Sequence, residues 1–251
     1  EVVAGLGAVI AGASVMAGSI GEAFAQPASQ KRKRLKVPKN AVDAHVHVFD
    51  PQNFEYSAGR SYTPPAATVA NLMAFEESIG VDRVVLVQPS PYGSDNSCLL
   101  AALKQLGPKV ARGVAVINPH SVTDDELETL KDAGVVAVRV NLQVKGVDQA
   151  TAAASQVSAA IKRVADHGLA IQIYLDLHLV EPIVPILRDA PVPIILDHYA
   201  GAKASLGPDQ QGFTTMLRAM QRGNVWVKMS APYRASKLAP DYPDVAPLAK
   251  A

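Results

Sequence analysis

From Val42 onward, short runs of apolar and mostly β-branched residues alternate with stretches in which apolar residues recur every three or four positions. The runs fall at 41–48, 83–88, 110–117, 135–141, 170–175, 192–197 and 225–229. They are apolar at nearly every position, which predicts parallel strands buried on both faces rather than strands with one wet face. The intervening stretches, such as 68–79, 124–132, 150–167 and 213–222, have the spacing of amphipathic helices. Strand and helix in regular alternation predict an α/β fold with a parallel sheet. Seven such units in one sheet predict a (β/α)8 TIM-like barrel, a fold of about 250 residues, with the eighth strand missing from this chain. A doubly wound nucleotide fold would need a glycine-rich turn after the first strand. Here that turn is Phe49-Asp50-Pro51-Gln52.

Composition narrows the picture. The chain has 251 residues, 49% of them hydrophobic, enough for one large domain and a tail. A net charge of +1 gives no reason to expect nucleic acid or a strongly acidic partner. The single cysteine, Cys98, cannot form an internal disulfide and reads as a small buried hydrophobe. Residues 2–20 carry no charge, and Ala23-Phe24-Ala25 has the small-x-small form of a cleavage site. The expectation is a partial export signal over 1–25, a basic linker over 26–36 containing Lys31-Arg32-Lys33-Arg34, and the barrel over 37–251. That organisation implies a periplasmic or secreted protein with no membrane association after cleavage. The rival reading of the opening is a membrane anchor, since roughly 19 uncharged residues just span a bilayer.

Catalytic groups of such barrels sit at the carboxyl ends of the strands. The first run ends in Asp43-Ala-His45-Val-His47, and period-two alternation places all three side chains on one face. Two histidines so placed are either satisfied core groups or ligands. The fourth run ends in Arg139-Val-Asn141, the fifth in Tyr174-Leu-Asp176 and the sixth in Asp197-His198. The seventh reaches Lys228 and Ser230, with Arg234 in the loop beyond. A buried charge needs a partner, so Arg139 either pairs internally or waits for an anion. His120, His167 and His178 read as structural, His167 as a helix-end cap before Gly168.

The segments Asp43-Ala-His45-Val-His47-Val-Phe49, Gln88-Pro-Ser90-Pro-Tyr92-Gly93-Ser94-Asp95-Asn96 and Leu196-Asp197-His198 resemble the lactonases of the amidohydrolase superfamily. So do Gly113-Val-Ala-Val-Ile117 and the spacing to Trp226-Val-Lys228, in register from about Val37 to the end. The resemblance implies a hydrolase that opens a carboxylated lactone with water, its partner being a small anionic lactone or ester. It implies no cofactor, because the strand ends that carry metal-binding lysine and histidine in binuclear relatives carry Arg139 and Tyr174. A single divalent metal on His45, His47 and His198 remains the alternative, as a mononuclear hydrolase or decarboxylase.

By position, the resemblance gives His45, His47 and His198 the task of polarising the lactone carbonyl. Arg139 and Arg234 would hold substrate carboxylates, and Tyr62, Ser90 and Tyr174 would add hydrogen bonds. Three departures stand out. Lys145 takes the place of a second arginine and loses its bidentate fork. The arginine expected shortly after His198 is replaced by Ala202-Lys203. The general-base aspartate of the family lies on the eighth strand, beyond Ala251. An unclosed barrel without its base predicts aggregation-prone edges and, as a third reading, an inactive barrel that binds a small anion. Nothing in the pattern specifies an oligomer.

Overall fold

The computed structural model describes residues 36–251. The expected export signal and all of the basic linker except Lys36 lie outside the described residues. Among the described residues no helix is long and apolar enough to cross a membrane. Seven strands form one sheet in sequential order: β1 (Val42–Val46), β2 (Arg83–Val87), β3 (Ala111–Ala115), β4 (Val135–Asn141), β5 (Ala170–Tyr174), β6 (Ile194–Leu196) and β7 (Val225–Val227). Every neighbouring pair is parallel. The (β/α) barrel architecture expected from the alternation is therefore present, with seven of its strands among the described residues.

Helices cover the outside: α1 (Val69–Ile79), α2 (Ser97–Leu106), α3 (Asp124–Asp132), α4 (Ala150–Val164), α5 (Val180–Arg188) and α6 (Phe213–Met220). Local chemistry sets their boundaries. Thr68 and Thr123 begin α1 and α3 with capping boxes completed by Asn71 and Glu126. Gly80 ends α1 in the left-handed conformation. Ile171, Ile173, Ile194 and Leu196 are fully buried between sheet and helices, as the unbroken apolar runs required.

Most strands are shorter than the apolar runs suggest, because the mouth-end residues leave the ladder and carry the polar side chains. The run at 192–197 yields only Ile194–Leu196. Directly after it, His198, Tyr199, Ala200 and Gly201 all have positive φ, at 53°, 56°, 52° and 76°. Left-handed backbone costs an L-residue about 1–2 kcal/mol, so this turn persists because its surroundings impose it. The Tyr199 amide donates to the Lys228 carbonyl and the Ala200 amide to the Asp197 carbonyl, both at 2.9 Å.

The open side of the sheet lies between β7 and β1. Trp226 and Met229 there are 61% and 65% exposed. On the inside, Lys228 Nζ reaches across and donates to the Ala44 carbonyl of β1 at 2.8 Å. One long side chain thus ties the two edge strands together through the barrel interior.

The turn after β6 supplies a stability test. A Cβ on Gly201 would stand 2.6 Å from the Leu175 carbonyl oxygen and 2.9 Å from Asp176 Cα, both backbone atoms. Gly201→Ala is expected to lower the unfolding free energy by more than about 1 kcal/mol, while Ala200→Gly, which relieves left-handed strain, is expected to be tolerated. Urea denaturation of the two variants beside the parent checks both.

Candidate active site

The centre of the barrel mouth is a carboxylate. Asp197 follows β6, is fully buried and receives hydrogen bonds from side chains of β4 and β5. Its Oδ2 accepts from Arg139 Nε at 3.2 Å, Arg139 Nη2 at 3.0 Å and Gln172 Nε2 at 3.0 Å. Its Oδ1 faces His45 Nδ1 at 3.3 Å and Lys228 Nζ at 4.0 Å. Lys228 also donates to Gln172 Oε1 at 2.7 Å. Burial alone would raise the Asp197 carboxyl, but the Arg139 guanidinium, His45 and Lys228 overcome it and hold the group far below the usual carboxylate range. Burial brings the Lys228 ammonium down to about 8, against the pull of Asp197.

The three histidines surround this centre. The His45 ring lies 5.1 Å from that of His47 and 4.6 Å from that of His198. Burial lowers all three: His45 well below the ordinary value, His47 to about 3 and His198 to about 4. At neutral pH they are uncharged imidazoles, each with one N–H and one lone pair. Their partners fix where the proton sits. His47 Nδ1 is 2.7 Å from the Val87 carbonyl, an oxygen that only accepts, so Nδ1 carries the hydrogen and Nε2 the lone pair. His45 Nδ1 faces the Asp197 carboxylate and is set the same way. His198 Nδ1 meets the Ser230 hydroxyl at 2.9 Å, a group that can donate, which permits an Nε2–H on His198.

Tyr174, at the end of β5, closes one side. Its ring stands edge-on to His198 at 5.0 Å, with Arg139 Cζ 5.7 Å and Arg234 Cζ 5.2 Å from its centroid. Burial pushes its hydroxyl up to about 12, so it is a donor at neutral pH. Arg234 sits in a short helical turn, Pro232–Ala235, after β7.

A cavity of about 640 Å³ opens over the ends of β2, β3 and β4. Ser90, Lys145 and Arg139 line it, and the histidines lie beyond Arg139 on the β1 and β6 side. Tyr62 stands at its rim, its hydroxyl 3.5 Å from Ser90 Oγ. The structure thus draws His45, His47, His198, Tyr174, Arg139 and Arg234 into one group, and Ser90, Tyr62 and Lys145 into a second beside it.

The structure refines three expectations. Arg139 faced a choice between pairing internally and holding an anion; its Nε and one terminal nitrogen go to Asp197, so only its remaining N–H groups can serve a ligand. His167 is more than a cap: it bridges Glu128 and Asp124 of α3 at 2.7 and 3.2 Å. His120, read as structural, lines the cavity. Lys203, at the place of the expected arginine, donates to the Arg234 carbonyl at 3.3 Å. The pattern did not single out Gln172, and it named Ser230 at the end of the seventh run without giving it a role. Gln172 was findable, as the one polar residue inside the run Ala170-Ile-Gln-Ile-Tyr174 and in step with Tyr174.

The profile of the amidohydrolase family matches residues 42–251. The chain belongs to the amidohydrolase family. It is 34% identical over 233 residues to a 2-pyrone-4,6-dicarbaxylate hydrolase of Comamonas testosteroni, covering 89% of this chain and 75% of that protein. It is 30% identical to a 4-sulfomuconolactone hydrolase of Rhizobium radiobacter, covering 86% and 71%. Among solved structures, a Pseudomonas putida protein provisionally named a 2-pyrone-4,6-dicarboxylic acid hydrolase superposes with a TM-score of 0.70. That match has 29% identity and covers 85% and 76% of the two chains.

Which groups of this amidohydrolase could hold a metal differs from the expected set. His45, Asp197 and His198 bring ligand atoms within 4.8 Å of one another; His47 is not in that group. The donor chemistry fits a divalent cation poorly. Asp197 already neutralises Arg139 and lies beside Lys228, so a metal there would have to displace buried hydrogen bonds and sit against two positive charges.

Two outcomes follow for this amidohydrolase. Asp197→Asn leaves Arg139 and Lys228 without their anion, and loss of one partner of a buried pair costs about 3–5 kcal/mol; chemical denaturation reads it directly. The second concerns acid. Because His47 and His198 hold protons less tightly folded than unfolded, the unfolded chain binds them first. Their contribution is complete above pH 6.5 and declines as pH falls from there toward 4. The slope is about 1.4 kcal/mol per pH unit for each histidine. Denaturation midpoints taken between pH 7 and 4.5 should fall accordingly, and His198→Gln should make the fall shallower.

Proposed function

We propose that this amidohydrolase opens carboxylated lactones with water and without a metal. The observation that carries the reading is the neutral histidine group set against the Arg139–Asp197–Lys228 centre, with Arg234 and Tyr174 at its side. The named activities of the 34% and 30% identical relatives, both on lactone substrates, support it.

In this reading His198 is the electrophile. Ser230 donates to its Nδ1, and its Nε2–H hydrogen-bonds to the lactone carbonyl oxygen. Two cations against one carboxylate leave the centre with an excess positive charge, which favours the oxyanion formed when water adds. A single well-placed donor of this kind contributes about 10²–10³ in rate. His45 and His47 present lone pairs, so their task is to accept from the attacking water and orient it rather than to polarise the carbonyl. The water oxygen bonds to the carbonyl carbon, the ring C–O bond breaks, and the ring oxygen takes up a proton. Asp197 is committed to Arg139, so we assign proton removal to the aspartate that the resemblance implies on an eighth strand. Arg234 and the unused N–H groups of Arg139 hold the carboxylate. We further propose export, on the strength of the uncharged residues 2–20 and Ala23-Phe24-Ala25.

A mononuclear metal enzyme is the second reading, favoured by the grouping of His45, Asp197 and His198. Chelation separates the two. Hydrolysis of 2-pyrone-4,6-dicarboxylate, followed by ultraviolet absorbance, should stay within twofold after exhaustive treatment with a chelator. Activity that disappears with the chelator and returns in proportion to added zinc would establish the metal enzyme instead. Arg234→Gln should raise KM about 10–100-fold, the loss of one charge-assisted contact of roughly 1.5–3 kcal/mol, with a smaller change in kcat.

A further inference from the structure

Arg234 stands on a backbone that is fixed from both sides. Ala231 before it is left-handed, at φ 51°, and Pro232 opens the short helical turn. The Arg234 amide donates to the Ala231 carbonyl at 2.9 Å, and Lys203 Nζ donates to the Arg234 carbonyl at 3.3 Å. Lys203 is itself held: its amide donates to Gln210 Oε1 and its carbonyl accepts from Gln210 Nε2, both at 2.9 Å. The turn 232–235 packs against the left-handed turn 198–201 that carries His198. With the backbone set, the long side chain is the part left to hold.

Two rings stand beside it. Arg234 Cζ lies 5.2 Å from the centroid of Tyr174 and 5.5 Å from that of Tyr233, both within the range at which a ring face attracts a cation. Burial lowers the Arg234 guanidinium from its ordinary value, and a desolvated cation is held more strongly by such rings. Tyr174 is buried and also faces His198 and Arg139. Tyr233 is 39% exposed. Burial nevertheless pushes its hydroxyl up to about 12, with Tyr174, Tyr62 and Tyr242 as its titratable neighbours. A flexible arginine loses rotamer freedom when it grips an anion, and that loss weakens binding. Rings against the guanidinium remove the freedom beforehand, in the folded protein.

We infer that Tyr233 is a positioning residue: its ring, together with that of Tyr174, holds the Arg234 guanidinium in place for an anion. The ring carries this role and the hydroxyl does not. That the anion is the carboxylate of a lactone rests on the lactonase reading; the contact between ring and guanidinium does not. Because Tyr174 also touches His198 and Arg139, Tyr233 is the ring whose replacement tests Arg234 separately.

The test uses cyclohexanecarboxylate, a non-reactive anion with no aromatic face to stack on Tyr233, titrated into isotope-labelled protein and followed by NMR. Tyr233→Leu should weaken it about fivefold, the freedom regained by one rotamer-rich side chain; Tyr233→Met is a second variant without the ring and should do the same. Tyr233→Phe, which keeps the ring, should retain the affinity within about twofold. Arg234→Gln should weaken the anion at least as much as Tyr233→Leu, and combining the two should add nothing further, whereas a ring that only supports the fold would weaken binding in both backgrounds. The Arg234 Nε–H resonance, assigned by its loss in Arg234→Gln, should move when the ring is removed and stay in Tyr233→Phe, because a nearby ring shifts it. In turnover, Tyr233→Leu should raise KM about fivefold with a smaller change in kcat. Unchanged affinity in Tyr233→Leu, an equal loss in Tyr233→Phe, a full loss in the Arg234→Gln background, or no binding of the anion by the parent would each overturn the inference. The expected binding pattern in a protein that opens no lactone would leave the role of Tyr233 standing and sink the lactonase reading.

Discussion

Everything at the mouth of this barrel depends on keeping one carboxylate charged in a place where water cannot reach it. An ionised group so buried is tolerated only when it is paired. Asp197 is paired through Oδ2, which accepts from Arg139 of β4 and Gln172 of β5, while its Oδ1 faces His45 of β1 and Lys228 at the end of β7. The same network spans the open side of the sheet. Lys228, anchored by Gln172, also reaches the Ala44 carbonyl, so the group that compensates the buried charge also links the first and last strands.

That arrangement determines how the histidines behave. Burial keeps the three imidazoles neutral, and the Nδ1 partners decide which face is donor and which acceptor at His45 and His47 and permit the reverse at His198. A backbone carbonyl at His47 and a carboxylate at His45 force lone pairs outward, while the hydroxyl of Ser230 lets His198 present a hydrogen. Three residues of one type therefore divide into two chemical roles. The division comes from second contacts, and the strained left-handed turn at 198–201 holds His198 in place to use it.

Charge is distributed by the same logic. The centre consumes most of Arg139, and other cations flank it: Arg234 against Tyr174 on one side, and Arg60 and Lys145 in the cavity wall on the other. Two regions of different character thus adjoin each other. One is buried and built around the Asp197 ion pairs; the other is open and cationic.

The sequence by itself determined the architecture. Buried parallel strands must be apolar on both faces, so the seven runs announced themselves, and alternation with amphipathic helices left a barrel as the natural closure. It also determined the family, through Asp43-Ala-His45-Val-His47 and the segments in register with it, and placed the candidate side chains at strand ends. What only the tertiary structure decided is who pairs with whom. Arg139 and Asp197 are 58 positions apart, and nothing along the chain says that the arginine's fork closes on that carboxylate rather than on substrate. Ser230 and His198, 32 apart, make a contact that permits an Nε2–H on His198 and that no local pattern encodes. Arg60 lies in a loop whose periodicity is silent, and its place in the cavity wall exists only once that loop and the end of β4 face one opening. Periodicity reports which face of an element is buried; the partner across the barrel is fixed by packing in three dimensions, and the chemistry resides in the partner.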